Sequence, residues 1–172
     1  TMDMKIPFTQ SEILNAKNNL IISNGLKNAY VRPIAWRGSE MMAVSAQKTT
    51  INVAIASWAW PSYFDPNEKM KGIKLDIAKW RRPDPNCAPV HVKASGLYMI
   101  CTLSKHDAEA KGYSDAVMLD WRNLIAEATG ANIFFKFKDG NLYTPKPDCF
   151  LDGITRRTVI KLAKDLGVNT IE

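Results

Sequence analysis

Lys93 stands in the stretch His91-Val92-Lys93-Ala94-Ser95-Gly96-Leu97-Tyr98, and Glu127 stands in Ile125-Ala126-Glu127-Ala128-Thr129-Gly130-Ala131-Asn132. A lysine amine can condense with an aldehyde to form a Schiff base. A carboxylate among apolar and small residues is costly unless it meets a positive partner, such as a protonated ring nitrogen. A third stretch, Leu151-Asp152-Gly153-Ile154-Thr155-Arg156-Arg157, reads as the start of a helix. Free N–H groups and the positive end of the helix dipole favour a phosphate there, and the Thr155 hydroxyl adds a donor. Amine, carboxylate and phosphate seat together match the three chemical ends of pyridoxal 5'-phosphate.

Each piece also has an ordinary reading. Most lysines are solvated surface groups. Lys93 differs because Ala94, Ser95 and Gly96 follow it and leave room for a ligand near the backbone. Burial with a lowered pKa would make it a good nucleophile. Tyr98 shares the face of Lys93 and could hydrogen-bond the 3'-oxygen of the ring, or it could be a half-buried core tyrosine. Glu127 could instead cap a helix or pair with a cation, and Gly130 and Asn132 would shape the turn that presents it. Asp152 or Thr155 could be a plain helix cap. His91 and His106 are too few for a metal site, so no metal is expected.

The elements that must position these groups follow from pattern. Thr9-Gln10-Ser11-Glu12 has the spacing of a capping box and opens a helix that Asn24-Gly25 stops. Residues 29–36 read as a strand with an edge or bulge at Pro33. Residues 41–46 and 50–58 read as further strands, the second central in its sheet. Trp60-Pro61-Ser62-Tyr63-Phe64-Asp65-Pro66 breaks the pattern and marks a boundary between domains. After it come a strand over 72–80, a loop over 81–86 and a helix over 94–111 that Gly112 stops. Strands follow over 116–121, 124–126 and 132–136. Lys138-Asp139-Gly140-Asn141 is a hairpin turn leading to a strand over 142–144. An amphipathic helix over 155–166 ends at Gly167.

Bulk properties bound the answer. The chain has 172 residues, 46% of them hydrophobic, enough for one domain or one and a half with a true core. The net charge of +6 comes from scattered residues, the densest run being Lys79-Trp80-Arg81-Arg82. That pattern argues against nucleic-acid binding and suits a phosphorylated cofactor with carboxylate substrates. Cys87, Cys101 and Cys149 are far apart and odd in number, which points to reduced thiols in a cytoplasmic protein. No apolar run approaches membrane-spanning length and the first residues lack a signal-peptide pattern, so no membrane partner is expected.

Four separated stretches resemble the fold-type IV (class IV) pyridoxal-phosphate aminotransferases, and among them most resemble the bacterial branched-chain amino acid aminotransferases. They are Ala29-Tyr30-Val31-Arg32-Pro33, Lys93 to Tyr98, Ala126 to Phe134, and Leu151 to Arg156, in order and at compatible spacing. The resemblance implies an α+β (mixed α/β) fold of the D-amino acid aminotransferase type. Residues 1–57 would be the end of a small α+β domain, 58–69 the connector, and 70–172 an incomplete larger pseudo-barrel domain. It implies Lys93 as the Schiff-base lysine that also moves the substrate's α-proton, Tyr98 on the 3'-oxygen and Glu127 on the pyridine nitrogen. Gly130 and Asn132 would lie beside the cofactor, Leu151 on its ring face, and Gly153, Ile154 and Thr155 around its phosphate. Tyr30, Arg32, Trp60 and Tyr63 would form the substrate pocket, with Arg32 taking the side-chain carboxylate of glutamate.

The implied reaction is transamination between L-leucine, isoleucine or valine and 2-oxoglutarate. Other class IV reactions stay open: D-amino acid transamination and aminodeoxychorismate lysis. The resemblance also implies a homodimer in which Gly38 to Val44 reaches the partner's pocket. Family members are nearly twice this length, so the chain reads as a central fragment that is inactive alone.

Overall fold

The computed structural model of the chain describes residues 2–60 and 70–172. Tyr63, and most of the expected connector over 58–69, lie outside the described residues. The chain divides into two compact units, Thr1–Pro66 and Asn67–Glu172. Among the described residues, no helix is long and apolar enough to cross a membrane.

The first unit begins with α1 (Gln10–Ser23). Both halves of the capping box are made: the Glu12 N–H donates to Thr9 Oγ1 at 3.2 Å, and the Thr9 N–H donates to Glu12 Oε2 at 2.8 Å. The helix closes as a Schellman motif, with Gly25 at φ +63° and the Leu26 N–H reaching back to the Ile21 carbonyl. Strands β1 (Tyr30–Arg37) and β2 (Ile51–Trp58) pair antiparallel without a break, from Tyr30↔Trp58 to Arg37↔Ile51.

Pro33 therefore sits in an edge strand, as its missing N–H requires, and makes no bulge. Two expectations fail here. Residues 41–46 form no strand. Among the described residues, no neighbour satisfies their backbone as a ladder would. Instead the Arg37 guanidinium holds the Ala46 carbonyl at 2.9 Å, and the Met42 and Val44 side chains are fully exposed. Nor is strand β2 central among the described residues: its sheet there has two strands, and α1 packs against it.

The second unit is built on a three-stranded sheet of order β3-β4-β5. Strand β3 (Leu75–Arg82) lies parallel to β4 (Asp115–Asp120), which pairs antiparallel with β5 (Ile125–Ala128). A parallel pair needs a crossover. It is supplied by a 3-10 turn (Ser95–Tyr98) running into α2 (Met99–Ala110). The core between them is Ala78, Cys101, Ala108, Ala116 and Met118, with Tyr98 and Ile100 packed on it. A second cluster, Ala126, Cys149 and Phe150, is closed by Trp121.

The expected helix start at 94 is thus a tighter 3-10 turn, and β3 extends through Arg81 and Arg82, where the sequence pattern predicts a loop. Beyond β5, β6 (Phe135–Lys136) and β7 (Leu142–Tyr143) form a short hairpin, and α3 (Ile154–Asp165) leads to β8 (Thr170–Ile171), parallel to β7. Strand β8 has no counterpart in the sequence reading.

Candidate active site

Strand alternation decides which way Glu127 points. Ala126 and Ala128 are buried on one face of β5, so Glu127 takes the other. Its side chain is only 12% exposed. Burial pushes its carboxyl up to about 7, against the opposing pull of Arg82 and then Lys93. Oε1 lies 3.4 Å from Arg82 Nε. On the other oxygen, Oε2, the Asn132 amide makes a long contact at 3.5 Å. Glu127 is therefore an ion-paired strand residue, not a helix cap.

Lys93 lies two residues before the 3-10 turn that begins at Ser95. Its Nζ donates to the Tyr98 hydroxyl at 2.7 Å, so the spacing of five residues brings amine and phenol together. Lys93 is exposed, so the burial that would favour its nucleophilicity is not what sets it apart. Tyr98 is half-buried against the α2 core.

At the third corner, α3 begins at Ile154 with Gly153 as N-cap and no side-chain cap. Neither Asp152 nor Thr155 serves as one. Asp152 is engaged by Arg156 at 2.9 Å, four residues on. The first N–H groups of a helix have no intrahelical acceptor. Here they are left with Thr155, exposed beside them. A Cβ on Gly153 would come 2.3 Å from Asn132 Oδ1. The Asn132 amide in turn donates to the Leu151 carbonyl at 3.0 Å. Asn132 thus ties the Glu127 strand to the helix start.

These groups line one cavity of about 780 Å³, within the range of cofactor pockets. It gathers Lys93, Tyr98, Glu127, Gly130, Asn132, Leu151, Gly153, Ile154 and Thr155. The donor set fits pyridoxal 5'-phosphate at each end: an amine for the aldehyde, a buried acid for the ring nitrogen, and an uncapped helix start for the phosphate. The sequence reading missed Arg82, which is 4% exposed and lines the same cavity. Its signal was indirect, since a buried Glu127 needs a cation.

Tyr30, Arg32 and Trp60 belong to the first unit, where they form a cluster of their own. Tyr30 stacks on Trp58 with ring centroids 4.8 Å apart, and Trp60 lies 5.4 Å from Tyr30. Arg32 Nη2 donates to the Tyr30 hydroxyl at 2.8 Å. Trp58 completes this cluster and was not singled out from sequence.

The amino-transferase class IV family model matches residues 1–172. A probable branched-chain-amino-acid aminotransferase of Rickettsia conorii is 42% identical over 171 residues, covering 99% of this chain and 57% of its own length. Among solved structures, the T.th. branched-chain amino acid aminotransferase complexed with N-(5'-phosphopyridoxyl)-L-glutamate superposes with a TM-score of 0.88 at 34% identity, covering 98% of this chain and 54% of that one. The branched-chain aminotransferase of Thermoproteus uzoniensis with norvaline gives 0.90 at 33% identity, covering 98% and 56%. The chain spans about half the length of the relatives it matches.

Proposed function

The chain belongs to the class IV aminotransferase family, and on that premise we propose that it carries the cofactor site of a pyridoxal-phosphate-dependent L-branched-chain amino acid:2-oxoglutarate aminotransferase. The observation that carries this reading is one cavity lined by Lys93, Tyr98, Glu127 and the uncapped start of α3. Pyridoxal 5'-phosphate, when bound, supplies an aldehyde that exchanges amines and a protonated ring that withdraws electrons from the α-carbon.

The protein's residues do the rest. Lys93 Nζ would be the amine that bonds the cofactor's aldehyde and, when freed by a substrate amine, the base that accepts and moves the substrate's α-proton. The Tyr98 hydroxyl, which accepts from that Nζ at 2.7 Å, orients the amine and would be the donor to the cofactor's 3'-oxygen. Glu127 keeps the ring nitrogen protonated. Leu151, Gly130 and Asn132 line the same cavity, and Leu151 would pack on the ring. Gly153, Ile154 and Thr155 take the phosphate with backbone N–H groups and a hydroxyl.

The substrate-binding residues of this proposal lie in the first unit. Tyr30 and Trp60, whose rings lie 5.4 Å apart, would offer apolar surface to the aliphatic side chain, Arg32 would take the glutamate carboxylate, and Tyr63, the fourth expected pocket residue, lies outside the described residues. The Tyr30-x-Arg32-Pro33 element supports the branched-chain reaction over other class IV reactions. A homodimer is part of the proposal, since loop 38–44 carries the fully exposed Met42 and Val44.

The test is a side-by-side assay of L-leucine with 2-oxoglutarate, of D-alanine with 2-oxoglutarate, and of aminodeoxychorismate. The chain is extended to its relatives' length for this purpose. Turnover of leucine first among the three is expected. Preference for D-alanine or aminodeoxychorismate would overturn the assignment while keeping the family.

A further inference from the structure

We propose that Arg82 is the positioning residue for Glu127, fixing that carboxyl where the cofactor's pyridine nitrogen would meet it and favouring its ionised form against the cost of burial. The proposal rests on the reading of Glu127 as the ring-nitrogen partner. Arg82 is the last residue of β3, and β4 separates it from Glu127 on β5. The β3–β4 register breaks between Ile77 and Arg81, just before it. The neighbours Lys79, Trp80 and Arg81 stay exposed while Arg82 is buried.

Three anchors fix its guanidinium. Nε donates to the Cys149 carbonyl at 3.4 Å and lies 3.4 Å from Glu127 Oε1, while Nη1 donates to Cys101 Sγ at 3.4 Å. Two of these anchors, on α2 and on the loop before α3, are independent of Glu127. The guanidinium is therefore held in place whether or not Glu127 is charged. A lysine at this position has no planar fork to serve three directions.

The ionisable groups bearing on Glu127 are Arg82 from β3, Lys93 from the loop before the 3-10 turn, Cys101 from α2 and Cys149 from the loop before α3. Burial pushes both thiols up, so they stay neutral. Lys93 does not provide a constant charge in the proposed reaction, because its amine is the group that bonds and exchanges protons. Arg82 keeps its charge throughout. It is the one steady counterion among these groups.

Carbon-13 carboxyl titration of the glutamate-labelled chain tests this directly, with Glu127→Gln assigning the signal. Arg82→Met is expected to raise the Glu127 midpoint by about one pH unit or more, and Arg82→Lys to return part of it. A folded Arg82→Met chain whose Glu127 titrates at or below the wild-type midpoint would overturn the proposal. Should Arg82→Met not hold its fold, thermal midpoints of Arg82→Gln decide. The loss against wild type is expected to be larger at about pH 8.5 than at about pH 5, with the excess gone in a Glu127→Gln background. Equal losses at both pH values overturn it. These titrations need no cofactor, so failure of the cofactor reading shows separately, as absence of label on Lys93.

Discussion

Among single residues, Thr155 is the simplest donor to remove. It sits at the start of α3, where no side chain caps the first turn. A hydroxyl donating to a charged phosphate contributes about 1.5–3 kcal/mol. Thr155→Val is therefore expected to raise the cofactor dissociation constant by about tenfold or more, read by absorbance titration of the chain at its relatives' length. An unchanged constant would remove Thr155 from the phosphate site. In the proposed reaction, Arg32 is the residue that would separate the two half-reactions. Arg32→Gln should lower kcat/KM for glutamate by about tenfold or more and leave leucine nearly untouched, because only glutamate brings a second carboxylate. Equal loss for both substrates would count against the proposed pocket. Much of the cavity lining was legible because its residues cluster in short stretches with distinctive chemistry. Arg82 was not, because Arg81-Arg82-Pro83 reads as a charged loop and nothing local distinguishes the inward arginine from the outward one. Nor did the sequence reveal that Lys93 is exposed, since the small residues after it predict space without saying whether solvent fills it.

The elements that hold the cavity depend on close backbone approach at the start of α3. Gly153 has an ordinary φ of −61°, so its requirement is for space. A Cβ there meets Asn132 Oδ1 at 2.3 Å, and the Asn132 side chain is short and already tied to the Leu151 carbonyl. Gly153→Ala is expected to cost about 1–3 kcal/mol in urea unfolding, the range for overpacking a fixed neighbour. Asn132→Ala in the same chain should relieve much of that clash. Full additivity of the two changes would contradict the contact. Legibility at this scale followed the strength of the local signal. The Thr9–Glu12 capping box, Asn24-Gly25 and the long helix before Gly167 each carry their own punctuation. Strand β8 is two residues long and carries none; it is defined by its pairing with β7, Leu142↔Thr170 and Tyr143↔Ile171, across the whole of α3. The 41–46 segment shows the converse: an apolar run predicts a strand, but a strand needs a neighbour, and this one has none among the described residues.

At the scale of the whole molecule, the two units divide the proposed work. Every residue assigned to the cofactor lies in Asn67–Glu172, and Tyr30, Arg32 and Trp60 lie in Thr1–Pro66. The proline- and aromatic-rich stretch near residue 60 interrupts both strand and helix periodicity, which is why the sequence pattern places a boundary there. It could not give the strand order β3-β4-β5, which rests on contacts distant in sequence. Glu127 also leaves a mark on global stability. Its folded value of about 7 lies above the ordinary 4.5, so between those values the folded state binds more protons than the unfolded chain. Stability from this group is present below about pH 4.5 and is lost as pH rises towards 7. Urea midpoints of the chain should fall across that window, and Glu127→Gln should flatten the decline. A wild-type midpoint that rises there, with no change in the variant, would contradict the assigned burial.

The central claim is that Lys93 is the amine that meets pyridoxal 5'-phosphate, and borohydride trapping tests it most directly. The purified chain, and the chain at its relatives' length, are mixed with pyridoxal 5'-phosphate, followed by visible absorbance, reduced with borohydride and mapped by peptide mass. A visible band with the reduced adduct on Lys93 is the predicted result, and Lys93→Ala should abolish both. Label spread over surface lysines at either length, or a band that survives Lys93→Ala, would contradict the account.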